Sequence, residues 1–218
     1  MNKNEKFVIT INRELGSGGR TVGRKLAEKL GVEYYDKAVI QTLTDKYNLS
    51  VEEIERLKGR NHSWWAELRR ALFESNGKAA TANYTLAVPG DKPFEPTSQE
   101  MYQVERQILN GIAENESCVV AGRLGFFVFH THPNHLNVLI QASMPFRVER
   151  VMRKQNITEE EARKTIEKVD QMRENYVKEY AKTSRYDTRN YDLVISADGN
   201  TEDQIVDIIL QYINNSSK

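Results

Sequence analysis

The stretch Phe7-Val-Ile-Thr-Ile-Asn-Arg-Glu-Leu-Gly-Ser-Gly-Gly-Arg-Thr-Val-Gly-Arg-Lys-Leu-Ala-Glu-Lys-Leu30 passes from an apolar, β-branched run through a glycine cluster into an amphipathic helical pattern. That is the layout of a phosphate-binding loop. Gly16, Gly18 and Gly19 give the backbone conformations closed to other residues, so that successive N–H groups can point at one anion. The helix that begins near Thr21 adds the positive end of its dipole, roughly half a unit charge, at the same place. A flexible strand-to-helix turn would need neither the preceding strand nor the cation and hydroxyl that follow in Arg20 and Thr21.

Set against the pattern G-x-x-x-x-G-K-[ST] and aligned on Gly19 and Thr21, residues 14–21 carry Glu14 for the first glycine and Arg20 for the lysine. Arginine keeps the positive charge and adds a planar fork suited to phosphate oxygens. The dinucleotide fingerprint G-x-G-x-x-G fails, because from Gly16 and Gly18 it requires a glycine where Thr21 stands.

Outside the loop, composition mainly excludes. The chain's 218 residues give ample length for one domain with a sizeable core and an inserted segment. Lysine plus arginine and aspartate plus glutamate balance at 31 each, so no global field recruits nucleic acid or an anionic membrane, and any anion site is local. A single cysteine, Cys118, excludes an internal disulfide and a cysteine-based zinc cluster; in the run Ser117-Cys-Val-Val-Ala121 it reads as a buried small hydrophobe. No apolar run approaches the roughly 20 residues of a membrane helix, and residues 1–6 lack a signal-peptide core, so a soluble cytoplasmic protein is expected.

Short strand-like runs alternate with longer helical ones, which predicts an α/β fold, a parallel sheet flanked by helices. Residues 7–11, 118–121, 136–141 and 193–196 read as strands, and residues 32–35 as a weaker one. Capping boxes mark helix starts at Ser50, Thr97, Thr158 and Thr201. The last helix is expected to bury Ile205, Ile208, Ile209, Tyr212 and Ile213. Between about residues 49 and 96 a charged stretch with Trp64 and Trp65 leads into Pro89, Pro93 and Pro96, the texture of an inserted helical segment.

Other residues could carry chemistry. Cys118-Val-Val-Ala-Gly-Arg123 is a strand ending in glycine and arginine; ligands of open parallel sheets sit beyond the carboxyl ends of the strands, which makes Arg123 a candidate anion clamp or else one half of a surface ion pair. Asp36 ends the weak second strand on the same edge, as a carboxylate for the site or a cap for the helix starting at Lys37. Arg147, Arg150 and Arg153 recur on one helix, and Asp170 and Arg173 lie within a turn of each other on the next. Joined by a short polar turn, these helices read as a lid able to close on phosphates or as a solvated hairpin laced with ion pairs.

Taken together, these features resemble the cytidylate kinase-like family of P-loop nucleoside-monophosphate kinases, over nearly the whole chain. The resemblance rests on Ile9 to Gly23, on Leu26-Ala-Glu-Lys-Leu-Gly31 with Tyr34-Tyr-Asp36, on Val119-Val-Ala-Gly-Arg123, on Asp170-Gln-Met-Arg-Glu-Asn-Tyr176 and on Tyr191-Asp-Leu-Val-Ile195. It implies a P-loop NTPase fold in which Gly16, Ser17, Gly18, Gly19, Arg20 and Thr21 cradle the triphosphate of ATP. Arg20 would stand in for the lysine and the Thr21 hydroxyl would ligate Mg2+. Arg123 would hold an acceptor nucleotide, with Arg173, Asp36 and Asp170 as further acceptor-side candidates. The insert would be the monophosphate-binding subdomain and residues 154–161 the lid. Leu124 stands where true cytidylate kinases carry aspartate after the Gly-Arg pair. The implied activity is phosphoryl transfer from ATP to a small acceptor, a nucleoside monophosphate. A nucleotide-binding regulatory module that has lost transfer is the alternative, motivated by Glu14 and Arg20.

Overall fold

The computed structural model describes residues 1–40, 52, 54 and 99–216. The chain forms two compact units, Met1–Lys37 with Glu116–Lys218, and Ala38–Asn115. In the first unit the strands are β1 (Val8–Arg13), β2 (Glu33–Asp36), β3 (Cys118–Ala121), β4 (His135–Gln141) and β5 (Leu193–Ser196). They form one sheet in the order β2-β3-β1-β4-β5, and every pairing is parallel. The α/β reading therefore holds, and all five expected strands are present. β1 runs two residues beyond the expected end at Ile11, because Asn12 and Arg13 pair in register with Leu139 and Ile140 of the longer β4. That extension carries Arg13 to the carboxyl edge of the sheet.

β1 lies between β3 and β4, where both faces are covered, and its Val8, Ile9 and Ile11 are fully buried. The helix α1 (Gly19–Leu30) lays Val22, Leu26 and Ala27 on one face of the sheet. The last helix, which follows β5, adds Ile205, Val206, Ile209 and Ile213 to the same core. Ile208, expected inside, is 38% exposed instead. The buried stripe is tilted by one position, and Val206 fills the place. Cys118 is buried as expected, and burial pushes its thiol pKa up.

A short helix, α3 (Gly125–Val128), precedes β4, and two helices leave that strand as a hairpin, α4 (Met144–Gln155) and α5 (Glu159–Ala181). Asn156 ends α4 in the left-handed conformation, and Thr158 opens α5 with the expected capping box: its hydroxyl accepts from Glu161 N–H while the Glu161 carboxylate accepts from Thr158 N–H. Such a cap contributes about 1 kcal/mol. Val148, Val151, Ala162 and Ile166 form the hairpin's own small core, against which Leu15 of the loop packs. The capping pair at Thr201 is also formed, Thr201 N–H donating to Gln204 at 2.8 Å.

In the second unit the helix α2 (Gln99–Asn115) buries Tyr102, Ile108, Leu109 and Ile112 along one side. The capping box expected at Ser50, the residue Thr97, and nearly all of the insert expected between about residues 49 and 96 lie outside the described residues. Among the described residues no helix is long and apolar enough to cross a membrane.

Candidate active site

Residues 14–18 connect β1 to α1 at the carboxyl edge of the sheet, and Gly19, Arg20 and Thr21 open the helix. Gly16 and Gly18 have φ of +87° and +84°, the left-handed conformation that the glycine cluster was expected to supply. A side chain at Gly16 is excluded twice over, since its Cβ would lie 2.8 Å from the Arg147 carbonyl oxygen. The loop is thus pressed onto the first turn of α4. Glu14, standing at the first-glycine position, clamps it there: its carboxylate accepts from Ala142 N–H at 2.9 Å and lies 3.7 Å from Arg147. Ser17 turns inward and donates to the Glu14 carbonyl at 3.0 Å.

The N–H groups of Gly16, Gly18, Gly19 and Arg20 donate to no acceptor among the described residues, and Thr21 N–H closes the first helical turn onto Gly18 at 2.9 Å. Unsatisfied donors at a helix N-terminus, on a backbone coiled by two left-handed glycines, form an anion cradle. A nucleotide triphosphate fits such a donor set. Among the described residues no group of three or more histidine, cysteine, aspartate or glutamate side chains gathers for a metal. A magnesium ion here would be held through Thr21, phosphate oxygens and water, the usual manner of that ion in phosphate sites.

Arg20 leaves the loop toward β2, where its Nε donates to Asp36 at 3.0 Å; Arg24 lies 3.9 Å from the same carboxylate. Asp36 is buried, whereas the Arg20 side chain is 42% exposed, so the pair holds the arginine by its Nε. Asp36 and Arg20 therefore act as a unit, a pairing that the sequence spacing did not announce.

Arg123 is set by an unusual backbone. Gly122, Arg123 and Leu124 have φ of +77°, +55° and +57°, a left-handed turn closed by Gly125 N–H donating to the Gly122 carbonyl at 3.0 Å. The two non-glycine residues store strain of about 1–2 kcal/mol each. Leu124 is driven into the core and Arg123 lies over the ring of Tyr176, 5.3 Å from its centroid. Burial depresses the Arg123 pKa, and nearby Arg13 adds to the effect.

Asp170 lies on α5 only 7% exposed and is saturated with donors. It accepts from Leu15 N–H at 3.0 Å and from Arg147 at 2.5 Å, and Arg173 and Arg185 each approach it to 3.4 Å. One carboxylate thus joins the loop, the hairpin and the segment after α5. Arg173 and the fully buried Arg185 also donate to the Arg13 carbonyl, at 3.2 and 2.5 Å. The Arg173 pKa falls to about 9, first through burial and then through the charges of Arg13 and Arg185. Guanidinium groups stay protonated in proteins, so the depression marks a buried charge with other positive charges beside it, which a bound anion would relieve.

The geometry gathers Gly16 to Thr21, Asp36, Arg123, Asp170 and Arg173 at one edge of one unit. Sequence reasoning did not anticipate Arg13 and Arg185 as partners in it, and Arg147, read as a cation of the hairpin, is committed to Asp170. Arg13 could have been suspected from its place at the strand end. Arg185, in Ser184-Arg185-Tyr186, carries no local signal.

Residues 8–198 match the model of the cytidylate kinase-like family. The chain belongs to that family. A cytidylate kinase from Methanopyrus kandleri is 24% identical over 211 residues, covering 93% of this chain and 90% of the relative. An S-adenosylmethionine-dependent nucleotide dehydratase from Lacinutrix mariniflava is also 24% identical, over 97% of this chain but only 37% of its own length. The crystal structure of an uncharacterized protein from Eubacterium ventriosum superposes with a TM-score of 0.69 at 23% identity, covering 97% of this chain and 99% of that one, and so shares the fold.

Proposed function

We propose that this member of the cytidylate kinase-like family transfers the γ-phosphoryl group of ATP to a small acceptor, a nucleoside monophosphate. The observation that carries the reading is the row of uncommitted N–H groups at Gly16, Gly18, Gly19 and Arg20 facing the same sheet edge as Arg123 and Arg173. The two similar proteins named above for nucleotide chemistry support a nucleotide as substrate.

In this reading residues 16–21 hold the triphosphate through backbone donors, and the Thr21 hydroxyl serves Mg2+. When bound, the ion neutralises charge on the phosphate oxygens. Arg20, aimed by Asp36, presents its terminal nitrogens to the transferred group in place of a lysine. Arg123 and Arg173 take the acceptor phosphate, and Asp170 keeps Arg173 and the loop in register. Residues 154–161 form the lid, and the segment between about residues 49 and 96 is the monophosphate-binding subdomain. Transfer of this kind depends on positioning and charge stabilisation, so no covalent nucleophile is needed.

Arg20 being tied to Asp36, with no lysine in the loop, favours one competing reading, a nucleotide-binding regulatory module without transfer. ADP release by the purified protein across a panel of nucleoside monophosphates separates the two. Acceptor-dependent turnover supports the enzyme; ATP binding without turnover supports the module.

A further inference from the structure

At this edge of the sheet, Arg13 holds a position that neither the loop pattern nor the acceptor assignment uses. Its stem crosses the loop so closely that a Cβ on Gly19 would lie 2.5 Å from Arg13 Cβ, and its guanidinium runs on to Gly122, where a Cβ would overlap Nη1. Position 19 is therefore barred from carrying any side chain, and the space such a side chain would use as it left the first turn of α1 is filled by Arg13. Its head group lies between the phosphate loop and the strained turn that presents Arg123.

The Arg13 guanidinium has no hydrogen bond and no carboxylate within ion-pair distance among the described residues. Other arginines of the site are committed in part: Arg20 to Asp36, Arg147 to Asp170 and Arg150 to Glu202. A second orphan stands near it. The Tyr34 hydroxyl, on a side chain only 8% exposed, has no hydrogen-bond partner. A half-buried cation and a buried hydroxyl, neither with a hydrogen-bond partner, are both costly, and an anion bound beside them would relieve both.

We propose that Arg13 is a phosphate-binding residue of this sheet edge, supplying from the end of β1 the cation that glycine at position 19 cannot, with the Tyr34 hydroxyl as its neighbouring donor. The proposal rests on the reading of residues 16–21 as a phosphate site and goes beyond it by adding a cation from outside the loop. Arg13 also accounts for part of the depressed pKa of Arg123 and Arg173, whose charges it faces. Bound phosphate would relieve that repulsion.

The test uses the full chain and inorganic tripolyphosphate with Mg2+ as probe, followed by calorimetry, beside the thermal midpoint of the ligand-free protein. Arg13→Gln should weaken tripolyphosphate binding on the order of ten- to hundredfold, the effect of losing a charge-assisted contact, while the ligand-free midpoint stays level or rises. Arg13→Lys should fall between, since it keeps the charge without the fork. Unchanged affinity in Arg13→Gln, or failure of that variant to fold together with full affinity in Arg13→Lys, would overturn the assignment. So would a wild-type chain that does not bind the probe. Binding that depends on Arg13 without any ADP release from the wild type would leave the assignment standing and overturn the transfer reading instead.

Discussion

The loop of residues 14–21 and the cluster around Asp170 both handle charge at the carboxyl edge of the sheet, yet they are made from opposite materials. The loop works with backbone: two left-handed glycines, four uncommitted N–H groups and the start of α1. The cluster works with side chains, three guanidinium groups converging on one carboxylate from α4, α5 and the segment beyond. A backbone site is held in shape by sterics and tolerates no Cβ, whereas a buried ionic site is held by charge balance. Damage to the first should therefore appear in binding, and damage to the second in stability.

The largest expected effect falls on the cluster. Asp170→Asn keeps the shape but removes the charge that compensates Arg147, Arg173 and Arg185, and breaking a buried ionic network in this way costs about 3–5 kcal/mol. Denaturant unfolding should show a lower midpoint at an unchanged slope. A loss below about 1 kcal/mol, the range of exposed pairs, would mean that the carboxylate does not hold the cluster together.

Next comes the loop. Gly18→Val places a β-branched residue at φ of +84°, with its Cβ 3.3 Å from the Arg150 guanidinium. The backbone strain costs about 1–2 kcal/mol of stability, but ATP affinity should fall by on the order of a hundredfold or more because the N–H cradle is distorted. Calorimetry on the folded variant decides, and retained affinity would break the contrast between the two regions. Arg20 sharpens it from within the loop. With Asp36 holding only its Nε, Arg20→Ala should lower turnover by about a hundredfold and Arg20→Lys by less, with little change in the denaturation midpoint. Wild-type turnover in the alanine variant would show that Arg20 serves Asp36 alone.

The contrast also explains what could be read from the sequence. A backbone site is local, so Gly16 to Thr21, with a strand before and a helix after, announced itself within one short stretch, and β1, β3 and β5 followed from their apolar runs. The cluster is assembled from positions 13, 147, 170, 173 and 185, brought together only by the parallel topology and the hairpin, and no spacing rule links them. Asp170 and Arg173 were visible as an intrahelical pair; that the carboxylate also caps Leu15 N–H in the loop was not. Ile208 shows the same limit in the core, since helical period gives the width of a buried stripe but not its tilt against a neighbour.

Arg123 and Arg173 lie where the two regions meet, and their variants carry the smallest and most selective effects. Each should lose about ten- to a hundredfold in acceptor kcat/KM, with the ATP dissociation constant nearly unchanged. Arg173→Ala also removes contacts to Asp170 and to the Arg13 carbonyl, so part of its effect should appear as lowered stability. Arg123 allows a cleaner separation. Its φ of +55° is strained for arginine and natural for glycine. Arg123→Gly should then cost as much acceptor use as Arg123→Ala while leaving the protein more stable than the alanine variant, by about 1 kcal/mol. If the left-handed turn exists to present this guanidinium, stability and acceptor use will move in opposite directions between wild type and Arg123→Gly. Equal loss of acceptor use and of ATP affinity in either alanine variant would instead place these arginines with the loop and erase the division between donor and acceptor sides.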